Sequence, residues 1–293
     1  MSCTNPVYAL DLGVKENGKR NIKILPKRVD LSSMAQVEAR FGHGQIIPLP
    51  CGKCLACRKS KAREWAVRCV LEATEYEDNC FITLTYDDKF YFNYREKFKE
   101  DLINFFKRVR KDFEFRYFAC CERGTEKGRY HFHALLFGVD LTKKQLEKYW
   151  KFGFVDSGSL TAGSCFYVSQ YVDKKIFQTE DFGFITMSTH PGLGYGYFKK
   201  HMDVVKYGQV HGSFGANKTP RYFEKLYSVL NDSDLSEFKD DRLSKAKAKQ
   251  LHEMLVHGLD RVEKLYDYQA EIDLNEFKHK KRRADLWNIV LVN

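Results

Sequence analysis

Two histidines one residue apart, His131 and His133, lie in the run GRYHFHALLFG (128–138). Phe132 separates them, and Ala134, Leu135, Leu136 and Phe137 follow, a composition suited to a buried strand. Strand side chains alternate between faces, so both imidazoles emerge on the same side. Such a pair can be hydrogen-bonded core histidines, half of a zinc site, or part of a catalytic metal site. An upstream carboxylate bears on that choice. If the hairpin over 115–138 is symmetric about Glu126 and Lys127, Glu122 stands across from His131, with cross-strand Cβ atoms roughly 5 Å apart. Two imidazoles and a carboxylate form a mixed nitrogen and oxygen donor set. That set suits Mg2+ or Mn2+ with positions left open to substrate. Glu126 in the turn, and Asp87 and Asp88 after the preceding strand, are the alternative third ligands.

A second set of reactive groups lies in CFYVSQYVDKK (165–175). Tyr167 and Tyr171 are four apart, hence on one face of a helix. Lys174 follows Tyr171 by three and Lys175 is next to it, which brings positive charge for a phosphate. Aromatic pairs at this spacing commonly pack a core. A phenol with its pKa near about 10 attacks a phosphate only with help, which a metal polarising the scissile phosphate supplies. The product would be a phosphotyrosine ester.

Cysteines form the third set. Cys51, Cys54 and Cys57 occupy CGKCLACR just ahead of a helical pattern. Thiolates so spaced can share one structural Zn2+, but a tetrahedral site needs a fourth ligand. Cys3, Cys69, Cys120 and Cys121 are the candidates. An iron–sulfur cluster uses similar spacings, and simple packing of small thiols at a helix start is the plainer alternative.

The elements that position these groups follow from periodicity. Residues 58–77 read as a helix, CFITLTY (80–86) as a strand, and 94–112 as a helix with Phe98, Leu102, Phe105, Phe106 and Val109 on one face. FRYFACC (115–121) is a strand, and the polar turn ERGTEKGR leads into the histidine strand. A helix over 142–151, a strand over 152–157 and a helix over 164–177 complete the series. The order β-α-β-β-α-β predicts an α+β fold, the ferredoxin-like split βαβ. In it the histidine strand is central in an antiparallel sheet, with helices on the faces. Residues 1–50 read as an N-terminal arm or subdomain, 51–79 as the cysteine cluster and its helix, and 80–228 as the core with flanking loops. The segment 229–293 reads as helical and basic. Within it a polar helix is expected over 240–280, with Leu251, Leu255, Val262 and Leu265 on one side, Gly258 as its breaker, and KHKKRR (278–283) beyond.

The chain has 293 residues and a net charge of +10, with 17 Tyr and 23 Phe among 49 Lys and Arg. Basic side chains attract phosphates and aromatic rings stack on bases, a combination suited to single-stranded nucleic acid. At 43% hydrophobic the chain is globular rather than disordered. No apolar run approaches bilayer length and no signal-peptide pattern opens the chain, so a soluble cytoplasmic protein without membrane contact is expected. An odd nine cysteines in that setting favour thiols or metal ligands over a disulfide framework.

HFHALLF resembles the histidine-hydrophobic-histidine (HUH) motif, YVSQYVDKK the two-tyrosine motif, and FITLTY the first motif of rolling-circle replication initiators. PCGKCLACRKSKAREWAVRC and MSTHPGLGYGYF are similar to the initiator of gokushovirus-type microviruses, which are small single-stranded DNA phages. The likeness covers about residues 45–225 in the family's motif order, departing from it at His190, where a basic residue is expected. It implies an endonuclease that nicks one strand at the origin, stays attached to the 5′ phosphate and leaves a 3′ hydroxyl. It also implies partners: single-stranded origin DNA, and the host's replication polymerase and helicase in the bacterial cytoplasm. Carried over by motif, His131 and His133 are metal ligands, joined less securely by Glu122, and Tyr167 and Tyr171 are nucleophiles. Two other functions fit the residues: a non-catalytic, zinc-stabilised nucleic-acid-binding protein, and a metal-dependent hydrolase whose tyrosines are core.

Overall fold

The computed structural model describes residues 3–15, 20–26, 34–91, 97–124, 129–174, 183–231, 236–260, 264–272 and 275. The chain divides into two compact units, one of Met1–Arg58 with Asp234–Asn293 and one of Lys59–Ser233.

In the first unit, β1 (Val7–Val14) is the middle strand of an antiparallel sheet, between β2 (Arg20–Ile24) and β3 (Gln45–Leu49). With α1 (Met34–Phe41) these strands bury a small core of Leu10, Leu25 and Val37, edged by Tyr8, Leu12, Phe41 and Ile46. The expected arm is thus a sheet of its own. Its alternation is faint in sequence because β2 leaves nearly every side chain exposed. Helix α2 (Leu55–Ala73) follows and leads into the second unit.

That unit continues with β4 (Asn79–Tyr86), α3 (Asp88–Tyr91), α4 (Phe98–Val109), β5 (Arg116–Arg123), β6 (Tyr130–Phe137), α5 (Lys143–Tyr149) and β7 (Gly153–Ser159). Then come α6 (Ala162–Ser169), α7 (Tyr171–Lys174), β8 (Ile185–Met187), α8 (Tyr195–Lys200), α9 (Val204–Tyr207), the hairpin β9 (Gln209–Gly212) and β10 (Gly215–Lys218), and α10 (Arg221–Leu230). Five strands form one antiparallel sheet in the order β7-β4-β6-β5-β8, which makes the histidine strand β6 its middle member. The protein is therefore α+β.

Both sheet faces are covered. Ile82, Leu84, Tyr86, Phe132, Ala134 and Leu136 meet the apolar face of α4, where Phe98, Leu102, Phe105, Phe106 and Val109 are buried as their spacing predicts. Each large side chain so buried contributes about 2 kcal/mol. The opposite face, carrying Phe118, Cys120, Leu135 and Phe137, packs against Cys69 and Val70 of α2 and Cys165 and Val168 of α6. The histidines belong to this second face.

The THPGLG segment, with no role assigned by sequence, is a brace. The nearly buried carboxylate of Glu72 on α2 accepts from Arg116 Nε and from the backbone N–H of Gly194. Arg68 lies between the rings of Trp65 and Tyr222, 4.1 and 4.2 Å from their centroids, and donates to the Leu193 carbonyl at 3.0 Å. Gly194 adopts φ +84, where a Cβ would also crowd Phe223. His190 is exposed and bonds only its neighbour Thr189 among the contacts shown, at 2.9 Å.

Two helix expectations need correction. The helix over 164–177 is interrupted at Gln170, whose N–H is shared between the Phe166 and Tyr167 carbonyls in a tightened turn. The C-terminal helix is α11 (Ser236–Val256), and it stops at Gly258, at φ +62; helical residues resume over 264–272. Leu251 and Leu255 are exposed while Leu265 is buried, so no single apolar stripe runs through them. Val262 and the basic run 278–283 lie outside the described residues. No helix among those residues is long and apolar enough to cross a membrane.

Candidate active site

Strand register sets the site. Glu122 pairs directly with His131, as hairpin symmetry predicts, and His131 pairs on its other side with Thr85. Thr85 in turn pairs with Phe154, so Phe154, Thr85, His131 and Glu122 form one row across four strands. The next row on the same face is Asp156, Thr83, His133, Cys120.

The threonines anchor the imidazoles. Thr85 Oγ1 lies 2.8 Å from His131 Nδ1, and Thr83 Oγ1 lies 3.1 Å from His133 Nδ1. With Nδ1 occupied, Nε2 is the nitrogen each ring offers to a ligand, the arrangement typical of metal-binding histidines. His133 Nε2 is 3.5 Å from Glu122 Oε2. His131 Nε2 sits over Gly124, where a Cβ would come within 2.6 Å of it. Glycine is needed there for space alone. Burial, and next the neighbouring His133, hold the His131 imidazole below the usual histidine range, with Glu122 opposing.

The tyrosines arrive from α6 and α7. Thr161 caps α6 by accepting from the Ser164 N–H, and Ser164 returns a bond to the Thr161 N–H, which fixes where the helix starts. Tyr171 O–H donates to the Tyr167 hydroxyl oxygen at 2.7 Å. The Tyr171 ring stacks on His133 at 5.7 Å between centroids, and the Tyr167 ring meets it edge-on at 5.4 Å. The two phenols differ in environment: Tyr167 is 43% exposed and Tyr171 5%. Burial first, then the adjacent Glu122 and Tyr167, push the Tyr171 phenol far above the usual tyrosine range.

Of the sequence candidates, His131, His133, Glu122, Tyr167 and Tyr171 come together on one sheet face. Asp87 instead accepts from the Phe90 N–H at the start of α3, and Asp88 pairs with Arg129. Glu126 and Lys175 lie outside the described residues, as does the side chain of Lys174. Sequence reading missed Thr83, Thr85 and Gly124. The threonines were findable, because FITLTY carries two hydroxyls at the same period-two spacing as the histidines. The spacing of Gly124 from the ring above it was not.

As a divalent-ion site the donor set fits by chemistry: two oriented Nε2 atoms, one carboxylate, and a side open toward the exposed Tyr167. The donors are not drawn to a point, since the two imidazole centroids are 6.5 Å apart. A flat strand imposes that separation on residues two apart. Among the described residues, the ligand atoms that do gather within 4.8 Å of one another are the sulfurs of Cys3, Cys51, Cys54 and Cys57, which could hold a metal ion. Cys69 and Cys120 are buried between the sheet and its helices, and Cys121 on the sheet's other face.

Residues 79–176 match the family model of the replication-associated protein ORF2. Three curated relatives are similar over most of their length. Replication-associated protein VP4 of Bdellovibrio phage phiMH2K is 30% identical across 70% of this chain and 75% of its own. Replication-associated protein ORF4 of Chlamydia phage 1 is 28% identical across 80% and 76%. Replication-associated protein ORF2 of Spiroplasma virus 4 is 26% identical across 93% and 95%. No solved structure matches significantly. The chain belongs to the replication-associated protein family of the microviruses.

Proposed function

We propose that this protein initiates rolling-circle replication of a phage genome by nicking and rejoining single-stranded DNA at the origin. One observation carries this reading: two tyrosines from a helical segment meet both strand histidines and Glu122 on one sheet face. Core tyrosines would not need an exposed phenol, and Tyr167 is exposed. Antiparallel strand order β7-β4-β6-β5 supports a ferredoxin-like sheet of the HUH type, with 80–228 as the endonuclease core. Residues 1–50, 51–79 and 229–293 are then its accessory segments.

In the first cleavage the Tyr167 oxygen attacks the scissile phosphorus and the bond to the 3′ oxygen breaks. The 3′ oxygen takes up a proton, and the 5′ phosphate remains on the tyrosine. Tyr171 O–H already points at the Tyr167 oxygen, so charge forming there during attack meets a donor in place. Mg2+ or Mn2+ held by His131, His133 and Glu122 would polarise the scissile phosphate. Thr83 and Thr85 keep both rings turned so that Nε2 faces it. Tyr171 is buried and hydrogen-bonded, so it acts second, after its bond to Tyr167 is released, and cuts the displaced strand while Tyr167 still carries the first end. Phe154, 62% exposed and in the His131 row two strands away, offers a stacking surface for a base near the cleaved phosphate. Lys174 and Lys175 add phosphate contacts. The 3′ hydroxyl left behind suits extension by the host polymerase, with the host helicase opening the duplex, in the bacterial cytoplasm.

An origin-bearing single-stranded oligonucleotide tests this. A covalent protein–DNA adduct with a free 3′ hydroxyl is the expected result. Binding without cleavage would identify a non-catalytic DNA-binding protein, and cleavage without adduct a metal-dependent hydrolase.

A further inference from the structure

The cysteine motif has no part in that chemistry. Within the first unit, β1 and β3 pair antiparallel with Val7 opposite Leu49, so the residues just before β1 and just after β3 are neighbours. That pairing brings Cys3 to Cys51, across 48 positions of sequence, and the Cys51 N–H donates to Cys3 Sγ at 3.3 Å. Cys54 Sγ is 3.8 Å from Cys3 Sγ, and Cys51 Sγ is 4.0 Å from Cys57 Sγ. Four sulfurs at about 2.3 Å from a tetrahedral Zn2+ would be about 3.8 Å apart. These spacings are nearly twice the roughly 2.05 Å of a disulfide, and no disulfide joins any of the nine cysteines. A multi-iron cluster needs its cysteines spread more widely than the 4.8 Å within which all four sulfurs lie.

The backbone around the motif is shaped for thiolates. The N–H groups of Lys53 and Cys54 donate to Cys51 Sγ at 3.4 and 3.2 Å, and the Cys57 N–H donates to Cys54 Sγ at 3.5 Å. Gly52 makes the turn possible at φ +72, with open space where a Cβ would be, so conformation and not crowding requires glycine there. Three partly buried thiols and one buried one, converging with amide donors aimed at them, give a closed site with no position left for substrate.

We infer that Cys3, Cys51, Cys54 and Cys57 bind one structural Zn2+ that ties the segment before β1 to the loop after β3 and the first turn of α2. The inference does not depend on the nicking reaction, since the histidine and tyrosine residues are not involved. Full-length protein purified without chelator should carry about one zinc per chain, and after Co2+ replacement should show the absorption of a four-sulfur tetrahedral site. Cys3→Ser should weaken metal binding about tenfold or more and shift the cobalt spectrum toward three sulfurs. Cys69→Ala and Cys120→Ala should leave both unchanged. If Cys3→Ser fails to fold, the wild-type metal content and cobalt spectrum decide alone. Folded wild-type protein with no zinc, with iron in its place, with a disulfide among these cysteines, or with a cobalt spectrum lacking four sulfurs overturns the inference. So does a Cys3→Ser protein that keeps the wild-type spectrum.

Discussion

The histidine face and the cysteine cluster gather metal-binding side chains in opposite ways. On the sheet, donors come from a strand at alternate residues, and the imidazole centroids stay 6.5 Å apart, with an exposed phenol beside them. At the cysteine turn, three donors come from a tight loop and helix start, a fourth is brought by strand pairing, and all four sulfurs fall within 4.8 Å. Regular strand geometry keeps ligands spread and leaves room for a substrate. A tight turn closes them around an ion. Catalytic metal sites keep open positions and structural ones do not, and the two regions separate along that line.

The largest effect that would break this comparison comes from the histidines. His131→Ala or His133→Ala should each lower nicking by about a thousandfold or more, through loss of several kcal/mol of charge stabilisation, with the thermal transition and zinc content unchanged. Brief EDTA treatment should do the same, and added Mg2+ or Mn2+ should restore cleavage. Undiminished nicking in chelator would move the chemistry away from a metal.

A smaller effect is expected one layer out. Thr83→Val and Thr85→Val remove the oxygens that anchor Nδ1 while keeping strand shape, and each should weaken Mn2+ binding about 10- to 100-fold. The cysteine site should not respond. Equal loss of zinc in these variants would show that they act through unfolding rather than ring orientation.

The smallest effect tests the open side. Phe154→Ala should weaken single-stranded DNA binding by about 1 kcal/mol, roughly fivefold, and leave metal affinity unchanged. Unaltered DNA affinity by fluorescence anisotropy would remove Phe154 from the binding surface.

The same contrast explains what the sequence disclosed. Period-two and helical spacing placed His131, His133, Glu122 and the α4 face correctly, because each depends on local geometry repeated along one element. The hairpin symmetry that set Glu122 opposite His131 is equally local. The fourth cysteine was beyond reach, because Cys3 meets Cys54 only through pairing of β1 with β3, and the first fifty residues show faint alternation. The break at Gln170 and the unequal burial of Tyr167 and Tyr171 were also hidden, since both come from how α6 and α7 settle on the sheet. THPGLG looked like a flanking motif, and its brace to Glu72 and Arg68 joins residues more than a hundred positions apart.

The central claim is that tyrosine oxygens on the histidine face become bonded to DNA. Its most direct test is mass spectrometry of the peptide covering 165–174 after reaction with origin-bearing DNA, in wild type and in Tyr167→Phe, Tyr171→Phe and the double variant. The account predicts the first adduct on Tyr167, a second on Tyr171 only when strand transfer proceeds, and none in the folded, DNA-binding double variant. An adduct on neither tyrosine, or complete strand transfer by a variant with one tyrosine, would contradict it.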